Sequence, residues 1–216
     1  MKILKLLVMR IINIMKLKKK FGKNVIFNEA DFVIESGKSY LLIGENGSGK
    51  STLFKCILGL SSINGGEIKK ENIKIGYVPE KMIMPSEMTI YDFLLCLGEL
   101  KGVEKEWLDK KIDYELSKWG LIEKQNNKIK TLSKGMVQKV LIIQAFLDEP
   151  DFLIFDEVLN GLDRYMQKLL LETIENYKAN GKSILIATHY PKEYLEVIDE
   201  IFEIKNKKVY KVEKIN

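Results

Sequence analysis

The chain has 216 residues, of which 46% are hydrophobic and 30% charged. This composition excludes a disordered chain and predicts a globular domain with a substantial buried core. The 35 basic and 30 acidic residues leave a net charge of +5, which permits phosphate, anionic lipid or nucleic-acid partners without selecting among them. Cys56 and Cys96 lie in apolar stretches without metal-site or disulfide spacing, so we expect two free, buried and inert thiols in a reducing compartment.

The N-terminal segment MKILKLLVMRIINIM (1–15) is apolar enough to be considered as a secretory signal. Lys5 and Arg10 interrupt its apolar run, and no small-residue cleavage site follows. No other segment reaches the roughly 18 uninterrupted apolar residues that a membrane-spanning helix needs. We therefore expect a protein that is soluble, or that reaches a membrane only through a partner.

Three strand patterns follow the N-terminal segment. Residues 11–21 alternate in the manner of an edge strand, and residues 24–37 predict a second strand that ends in a turn. KSYLLIG (38–44) is short and almost wholly apolar, which is typical of a strand covered on both faces. This third strand leads directly into a glycine-rich loop.

The glycine-rich loop GENGSGKST (44–52) matches the phosphate-loop pattern G-x-x-x-x-G-K-[ST]. Its glycines allow backbone N–H groups to converge on a triphosphate, and the following helix N-terminus adds positive potential. Lys50 is predicted to bridge the β- and γ-phosphates, and the Ser51 hydroxyl to ligate Mg²⁺. The strand before the loop and the helical spacing at 51–60 argue against a chance match. The predicted nucleotide-binding residues of the loop are Gly44, Glu45, Asn46, Gly47, Ser48, Gly49, Lys50, Ser51 and Thr52.

The middle of the chain changes from strand to helix. KIGYVPE (74–80) predicts a strand, and helical periodicity dominates from about 89 to 127. Trp107 and Trp119 occupy apolar positions of this pattern, which favours core packing over stacking on a base. We predict an α-helical subdomain at about 85–148, inserted into an α/β core. TLSKGMVQK (131–139) then begins like a helix, because Ser133 can cap the apolar run that follows.

Two further buried-strand patterns end in polar residues. FLIFDE (152–157) delivers Asp156 and Glu157 to the carboxyl end of a strand, where ligands bind in open α/β sheets. We predict that Asp156 holds Mg²⁺ and that Glu157 orients and activates the attacking water. Such a carboxylate pair by itself could equally cap the next helix, but the phosphate loop in the same chain favours catalysis.

His189 is the only histidine of the chain, and lone histidines are often structural. It follows the apolar strand pattern at 182–188, again at a carboxyl end, so we predict a hydrogen bond to the γ-phosphate. Strands that alternate with helices predict a mainly parallel sheet. The end of the chain, from 200 onward, predicts a hairpin with its turn near Asn206.

In this order, the phosphate loop, helical insert, LSKGM, FLIFDE, NGLD and ATH resemble the nucleotide-binding domain of ABC transporters over nearly the whole chain. A Ser-x-Gly helix start upstream of the Asp–Glu strand distinguishes this family from other phosphate-loop proteins. The resemblance implies an α/β P-loop NTPase with a mainly parallel core sheet, an N-terminal antiparallel β subdomain and the helical subdomain, all in one domain over 1–216. It implies ATP and Mg²⁺ as cofactors.

In the family, two such domains pack head to tail, and the signature helix of one closes on the ATP held by the other. By this resemblance, Ser133 and the Gly135 backbone contact the partner's γ-phosphate, and Asp163 forms the D-loop between the two sites. Phe21 matches the aromatic residue that stacks on adenine. The implied signature residues are Leu132, Ser133, Lys134, Gly135 and Met136.

The chain departs from the family pattern at several positions. Glu80 stands where the family usually has the glutamine that contacts Mg²⁺; a carboxylate can ligate the metal but adds negative charge near the γ-phosphate. Lys134 and Met136 replace the usual glycine and glutamine, and Val158 replaces a common proline. YVPE (77–80) and LSKGM resemble the branch that partners ABC-2 type membrane subunits, which are mostly exporters.

The resemblance implies an integral membrane transporter subunit, encoded separately, and a second nucleotide-binding domain, identical or paralogous, as partners. It places the chain in the cytoplasm, at the inner face of the membrane, docked through the loop at Glu80 and residues 85–100. Nucleic acid is not expected as a partner. One alternative is a soluble ABC ATPase that acts on nucleic acid or ribosomes, although such proteins usually carry two domains or a long coiled coil. A non-hydrolysing binding module is another, but it predicts the absence of Glu157.

Overall fold

A computed structural model describes residues 9–213 of the chain. Residues 1–8, with the apolar start of the N-terminal segment, and residues 214–216 lie outside the described residues. Among the helices described, none is both long and apolar enough to cross a membrane. The chain divides into two compact units, the first comprising residues up to Ile73 together with those from Ile174 onward, and the second Lys74–Thr173.

The first unit contains a three-stranded antiparallel sheet. Its strands are β1 (Arg10–Phe21), β2 (Asn24–Glu35) and a strand at Gly65–Lys70, and β1 lies in the centre. The prediction that β1 is an edge strand was therefore wrong. The strand at Gly65–Lys70 has the sequence GGEIKK, which lacks the period-2 alternation of a half-buried strand, so its pairing with β1 left no mark in the sequence.

The remaining strands of the first unit form a mainly parallel group. β3 (Ser39–Ile43) is followed by the helix α1 (Lys50–Ile57). The strand at Gly65–Lys70 comes next in the chain and is β4, but it belongs to the antiparallel sheet described above. The last three strands of the chain also belong here: β7 (Ser183–Ala187), β8 (Glu200–Lys205) and β9 (Lys208–Val212). β3 pairs in parallel with β7 on one side and with β8 on the other.

The chain-end hairpin has its turn where the sequence predicted it. β9 runs antiparallel to β8, and the two residues between them, Asn206 and Lys207, both have positive φ angles of 50° and 62°. Two consecutive left-handed residues are the geometry of a two-residue turn that matches the twist of the flanking strands. Asparagine at the first of these positions tolerates that conformation.

The second unit combines two parallel strands with helices. Its elements are β5 (Ile75–Val78), α2 (Ile90–Leu100), α3 (Lys105–Lys118), α4 (Lys134–Phe146) and β6 (Phe152–Asp156), while α5 (Arg164–Ala179) begins in this unit. β5 packs directly on α4, since a Cβ added at Gly76 would lie 2.3 Å from the carbonyl oxygen of Ala145. All five residues of β6 are buried, which explains the unbroken apolar pattern of its sequence.

Two predictions about buried side chains in the helices were only half right. Cys56 is buried, and burial raises the pKa of its thiol, but Cys96 is exposed. α2 turns its buried stripe of Ile90, Phe93, Leu94 and Gly98 inward, and Cys96 falls outside that stripe. Trp119 is fully buried, whereas Trp107 is 40% exposed beside the buried Leu108. An apolar stretch therefore does not by itself tell which residue faces the core.

Candidate nucleotide-binding site

The loop between β3 and α1 has a backbone that only glycine adopts readily. Gly47 and Gly49 have φ angles of 77° and 113°, in the left-handed region. A Cβ added at Gly49 would lie 2.7 Å from Cγ2 of Ile26 and 3.0 Å from Cζ of Phe27. Both the torsion angle and the close contact with β2 therefore require glycine where α1 begins.

The polar groups of this loop are arranged to receive an anion. Lys50 is only 7% exposed, and its ammonium donates hydrogen bonds to the carbonyl oxygens of Gly44 at 2.8 Å and Glu45 at 3.4 Å. The hydroxyl of Ser48 is buried and has no hydrogen-bond partner in the part of the chain that the structure describes. No acidic residue lies in the first turn of α1. An orphaned hydroxyl beside a buried lysine at a helix N-terminus is a site for phosphate.

A cavity of about 490 Å³ opens beside the loop within the first unit. Its walls come from the start of β2, from the loop itself and from the turn between β8 and β9; they comprise Asn24, Val25, Ile26, Glu45, Asn46, Gly47, Ser48, Glu203, Ile204, Lys205, Asn206 and Lys207. Ser51 and Thr52 lie in the first turn of α1 and are partly exposed. The cavity has the volume that ligand sites commonly show.

Phe21 ends β1 and is 53% exposed. The ammonium of Lys19 lies 4.4 Å from the centroid of its ring, at the distance of a cation–π contact. Sequence reasoning selected Phe21 but missed Lys19. The signal was available, because residues two apart in a strand face the same side.

His189 follows β7 at the same edge of the sheet as the phosphate loop. The parallel register pairs Leu42 of β3 with Ala187 of β7, so Gly44 and His189 are each two residues beyond paired positions. Side chains that follow neighbouring parallel strands meet at the carboxyl edge. His189 is exposed there. The register of the first unit therefore places the phosphate loop and His189 after neighbouring strands at one edge of the sheet.

The two carboxylates after β6 are deeply buried, at 2% exposed for Asp156 and 5% for Glu157. Glu157 has a φ of 55°, a left-handed conformation that costs a non-glycine residue on the order of 1 kcal/mol and clusters at functional sites. The fully buried β6 anchors the pair at its carboxyl end. The burial and the strained backbone both distinguish Glu157 from an ordinary surface glutamate.

Glu80 lies at the same strand edge as these carboxylates. Val78 of β5 pairs with Phe155 of β6, so Glu80 and Glu157 are each two residues beyond a paired position. The pKa of Tyr77 is raised, first by burial and then by the nearby charges of Asp156 and Glu80. Three carboxylates of the second unit therefore share one edge, and Glu80 contributes a negative charge where a glutamine would not.

The signature residues form the N-terminus of α4. Ser133 caps the helix, since its hydroxyl accepts a hydrogen bond from the backbone N–H of Met136 at 3.3 Å. Gly135 lies inside the helix, where an added Cβ would be 2.7 Å from the carbonyl oxygen of Gly161. The aliphatic stem of Lys134 lies alongside Gly161, with Cγ 3.4 Å from an added Cβ there. The signature and the NGLD segment are thus packed on each other.

Asp163 has a structural role in the same unit, because its carboxylate accepts a hydrogen bond at 2.9 Å from the backbone N–H of Met166 in the first turn of α5. Val158, which replaces a proline of the family pattern, is fully buried and fills core space. Leu132, Ser133, Lys134 and Asp163 remain partly or fully exposed. The second unit therefore presents a polar surface built from the signature and from the start of α5.

The comparisons with known proteins agree with this geometry. Residues 27–160 match the family model of ABC transporters. The chain is 35% identical over 204 residues to an uncharacterised ABC transporter ATP-binding protein of Methanocaldococcus jannaschii, with 94% of this chain and 78% of the relative covered. It is 28% identical over 206 residues to Nod factor export ATP-binding protein I of Cupriavidus pinatubonensis, with 88% of this chain and 63% of that relative covered.

A solved structure described as the ATP-binding subunit of an ABC transporter has a TM-score of 0.88 to this chain at 28% identity, covering 94% of this chain and 89% of that one. The fold is therefore that of an α/β P-loop NTPase, as predicted. The chain belongs to the ABC transporter family. It is an ATP-binding subunit of that family with ATPase activity.

Proposed function

We propose that the chain binds Mg·ATP at the phosphate loop and hydrolyses it in a site completed by a second nucleotide-binding domain. The observation that carries this proposal is the phosphate loop itself, with its buried Lys50 and its orphaned Ser48 hydroxyl. On binding, the Lys50 ammonium exchanges its loop carbonyl partners for the stronger charge-assisted bonds of the phosphates. The uncapped N-terminus of α1 adds backbone donors and positive potential.

We assign the magnesium ion to three side chains that the sequence motifs select. Mg²⁺ prefers oxygen ligands and is commonly held by one or two carboxylates together with substrate phosphates. Ser51, Asp156 and Glu80 supply oxygens of this kind. Among the described residues, no cluster of three or more histidine, cysteine, aspartate or glutamate side chains could hold a metal alone. The ion would neutralise charge on the transferred phosphoryl group.

Hydrolysis requires a base that orients water in line with the γ-phosphate. We assign this role to Glu157, whose burial and left-handed backbone hold the carboxylate in one place. His189 is assigned to the γ-phosphate as a hydrogen-bond donor, since it lies at the carboxyl edge that also carries the phosphate loop. With these assignments, Glu157 after β6 and His189 after β7 each have a role in hydrolysis.

The signature is assigned to the ATP of a partner domain, identical or paralogous. Ser133 and Lys134 are exposed at the N-terminus of α4, and that terminus carries no acidic residue. An exposed helix N-terminus attracts anions through its backbone donors and dipole, worth about 0.3–2 kcal/mol. Asp163, on the adjoining segment, is assigned to communication between the two sites. Each chain in this arrangement contributes half of two sites.

We further propose that the subunit drives export through a separate membrane subunit of the ABC-2 type, at the inner face of the membrane. The loop after β5 supports this assignment, since Met82 is 40% exposed and Ile83 is 100% exposed. Exposed apolar side chains that lie together mark interaction surfaces. The relative from Cupriavidus pinatubonensis is described as an export protein. The cargo is a property of the membrane subunit, so it is not specified by this chain.

The substitution Glu157→Gln tests the shared site. The variant should still bind ATP but not activate water, so the closed dimer should accumulate because reopening follows hydrolysis. We expect turnover to fall by at least about a hundredfold, and size-exclusion chromatography with Mg·ATP to show a stable dimer.

Glu149→Gln is the matched control, because Glu149 lies in the same unit and also has a left-handed φ, of 49°, but is exposed. It should hydrolyse ATP normally. A Glu157→Gln variant that binds ATP yet stays monomeric at every nucleotide concentration would argue against the shared site. Normal ATP turnover in the Glu157→Gln variant would show that Glu157 is not the residue that activates water.

A further inference from the structure

Lys19 is a buried lysine that has no role in the nucleotide site proposed above. Its side chain is 5% exposed, and no carboxylate within the described residues 9–213 forms an ion pair with it. An ammonium group is costly to bury without a compensating partner. Its contacts are therefore informative: it donates a hydrogen bond of 2.5 Å to the carbonyl oxygen of Ser62, and it lies 4.4 Å from the ring centroid of Phe21.

An irregularity in β1 sets the face on which Lys19 lies. Lys16 has a φ of 48°, and the pairing of β1 with β2 shifts register between Ile14 and Leu17 and again on either side of Lys19. Such a bulge changes which residues point inward. Beyond it, Leu17 and Lys19 are buried, and Phe21 follows with the same two-residue spacing. The lysine and the aromatic ring are thereby placed on one face of the strand.

Lys19 is also tied to the elements that hold the phosphate loop. It pairs across the strands with Phe27 of β2, whose ring lies 3.0 Å from a Cβ added at Gly49. Its hydrogen-bond acceptor, Ser62, lies five residues after the end of α1. The ammonium therefore bonds to the segment that follows α1, while the backbone of Lys19 pairs with the strand that packs on Gly49.

We propose that Lys19 is a positioning residue for the nucleotide base. The ammonium fixes the Phe21 ring by occupying one of its faces, and the 53% exposure of Phe21 leaves a face for a planar base. The ligand is the purine of a nucleoside triphosphate, stacked on the side of the ring opposite the cation. This inference rests on the proposed stacking role of Phe21. Lys19 acts through that ring and does not itself contact the phosphates.

The test compares two probes on the purified chain by isothermal titration calorimetry: Mg·ATP, and inorganic tripolyphosphate as a ligand without a base. Lys19→Met should weaken ATP binding by about three- to tenfold, the range of a cation–π contact, and leave tripolyphosphate binding unchanged. Lys19→Arg, which retains a cation able to stack on a ring, should restore ATP affinity. Lys20→Met removes the same charge from the neighbouring exposed residue and should change neither affinity.

Lys19→Gln covers the case in which the methionine variant does not fold, because glutamine retains a donor for the Ser62 carbonyl but carries no charge. It should lose ATP affinity in the same way. An unchanged ATP affinity in a folded variant, or an equal loss for both probes, overturns the inference. Phe21→Leu separates this outcome from a failure of the stacking assignment: if it leaves ATP binding unchanged, Phe21 is not the base platform. In a chain that already carries Phe21→Leu, adding Lys19→Met should not weaken ATP binding further.

Discussion

The helices α1 and α4 both begin with small residues, but for different physical reasons. At α1, Gly49 has a φ of 113° and no side chain caps the helix. At α4, the Ser133 hydroxyl caps the helix, and Gly135 lies within it where the Gly161 carbonyl leaves no room for a Cβ. The first helix start leaves its N–H groups for a ligand, while the second is stabilised by its own chain and packed on a neighbouring loop. Gly49 is needed for both its torsion angle and the space beside β2, whereas Gly135 is needed for space alone.

Among substitutions at the two helix starts, Lys50→Ala should have the largest effect, and it should be confined to the α1 site. Because the ammonium is the buried positive side chain of the phosphate loop, we expect ATP affinity to fall by about 10- to 100-fold, the value of charged hydrogen bonds. Calorimetric titration with Mg·ATP measures it. Lys55→Ala, on the exposed side of the same helix, should bind normally. ATP affinity that survives Lys50→Ala would mean that nucleotide binds elsewhere.

Gly135→Ala should separate the two helix starts. A methyl group 2.7 Å from the Gly161 carbonyl forces the signature away from the NGLD segment, at the 1–3 kcal/mol typical of overpacking. We expect ATP hydrolysis to fall by about 5- to 100-fold, while ATP affinity of the isolated chain stays unchanged. Steady-state phosphate release and calorimetry provide the two readouts.

Gly102→Ala is the control for Gly135→Ala. Gly102 lies in the same unit, and a Cβ added there has no neighbouring atom within 4 Å. It introduces only torsional strain, because Gly102 has a φ of 78°, and hydrolysis should persist. Equal losses of hydrolysis in the two variants would show that glycine replacement in this unit acts through stability. The contact between Gly135 and Gly161 would then not be specifically required for hydrolysis.

Substitutions at Ser133 should have the smallest effect, and they distinguish capping from phosphate contact. Ser133→Ala removes the cap and should cost about 1 kcal/mol of unfolding free energy. Ser133→Asp keeps a capping oxygen but adds a negative charge, so the stability should be retained while ATP-dependent dimerisation weakens. Thermal unfolding and size-exclusion chromatography measure the two properties. Normal dimerisation of Ser133→Asp would restrict Ser133 to its capping role.

Much of the fold could be predicted because each local pattern agreed with its surroundings. The apolar strand before GENGSGKST and the helical spacing after it were both confirmed, as were the buried strand that ends at Asp156 and the hairpin turn at Asn206. These elements depend on backbone torsion preferences and on the spacing of apolar residues, and both can be read from neighbouring residues in the sequence. The roles assigned to the individual site residues stay predictions, and the experiments above test them.

The errors share one physical cause, which is that they concerned contacts between distant segments. β1 was predicted as an edge strand because its pairing with GGEIKK is not encoded in the pattern of either segment. Cys96 was predicted to be buried because the composition of a stretch does not show which side of a helix meets the core. The spacing of Lys19 to Phe21 was visible in the sequence, but the burial of Lys19 and its hydrogen bond to the Ser62 carbonyl, 43 residues away, were not.

The sequence by itself determined the family and the strand–loop–helix order around GENGSGKST, because a phosphate loop needs a short and local set of residue types. Only the tertiary structure decided why Gly135 is glycine, that Glu157 is strained, and that Lys19 lies against Phe21. The first and the last of these depend on side-chain and backbone atoms packed at close distance, and the second on a torsion angle that residue type does not reveal. Packing of that kind is a property of the folded chain, since it arises only once the segments have been brought together.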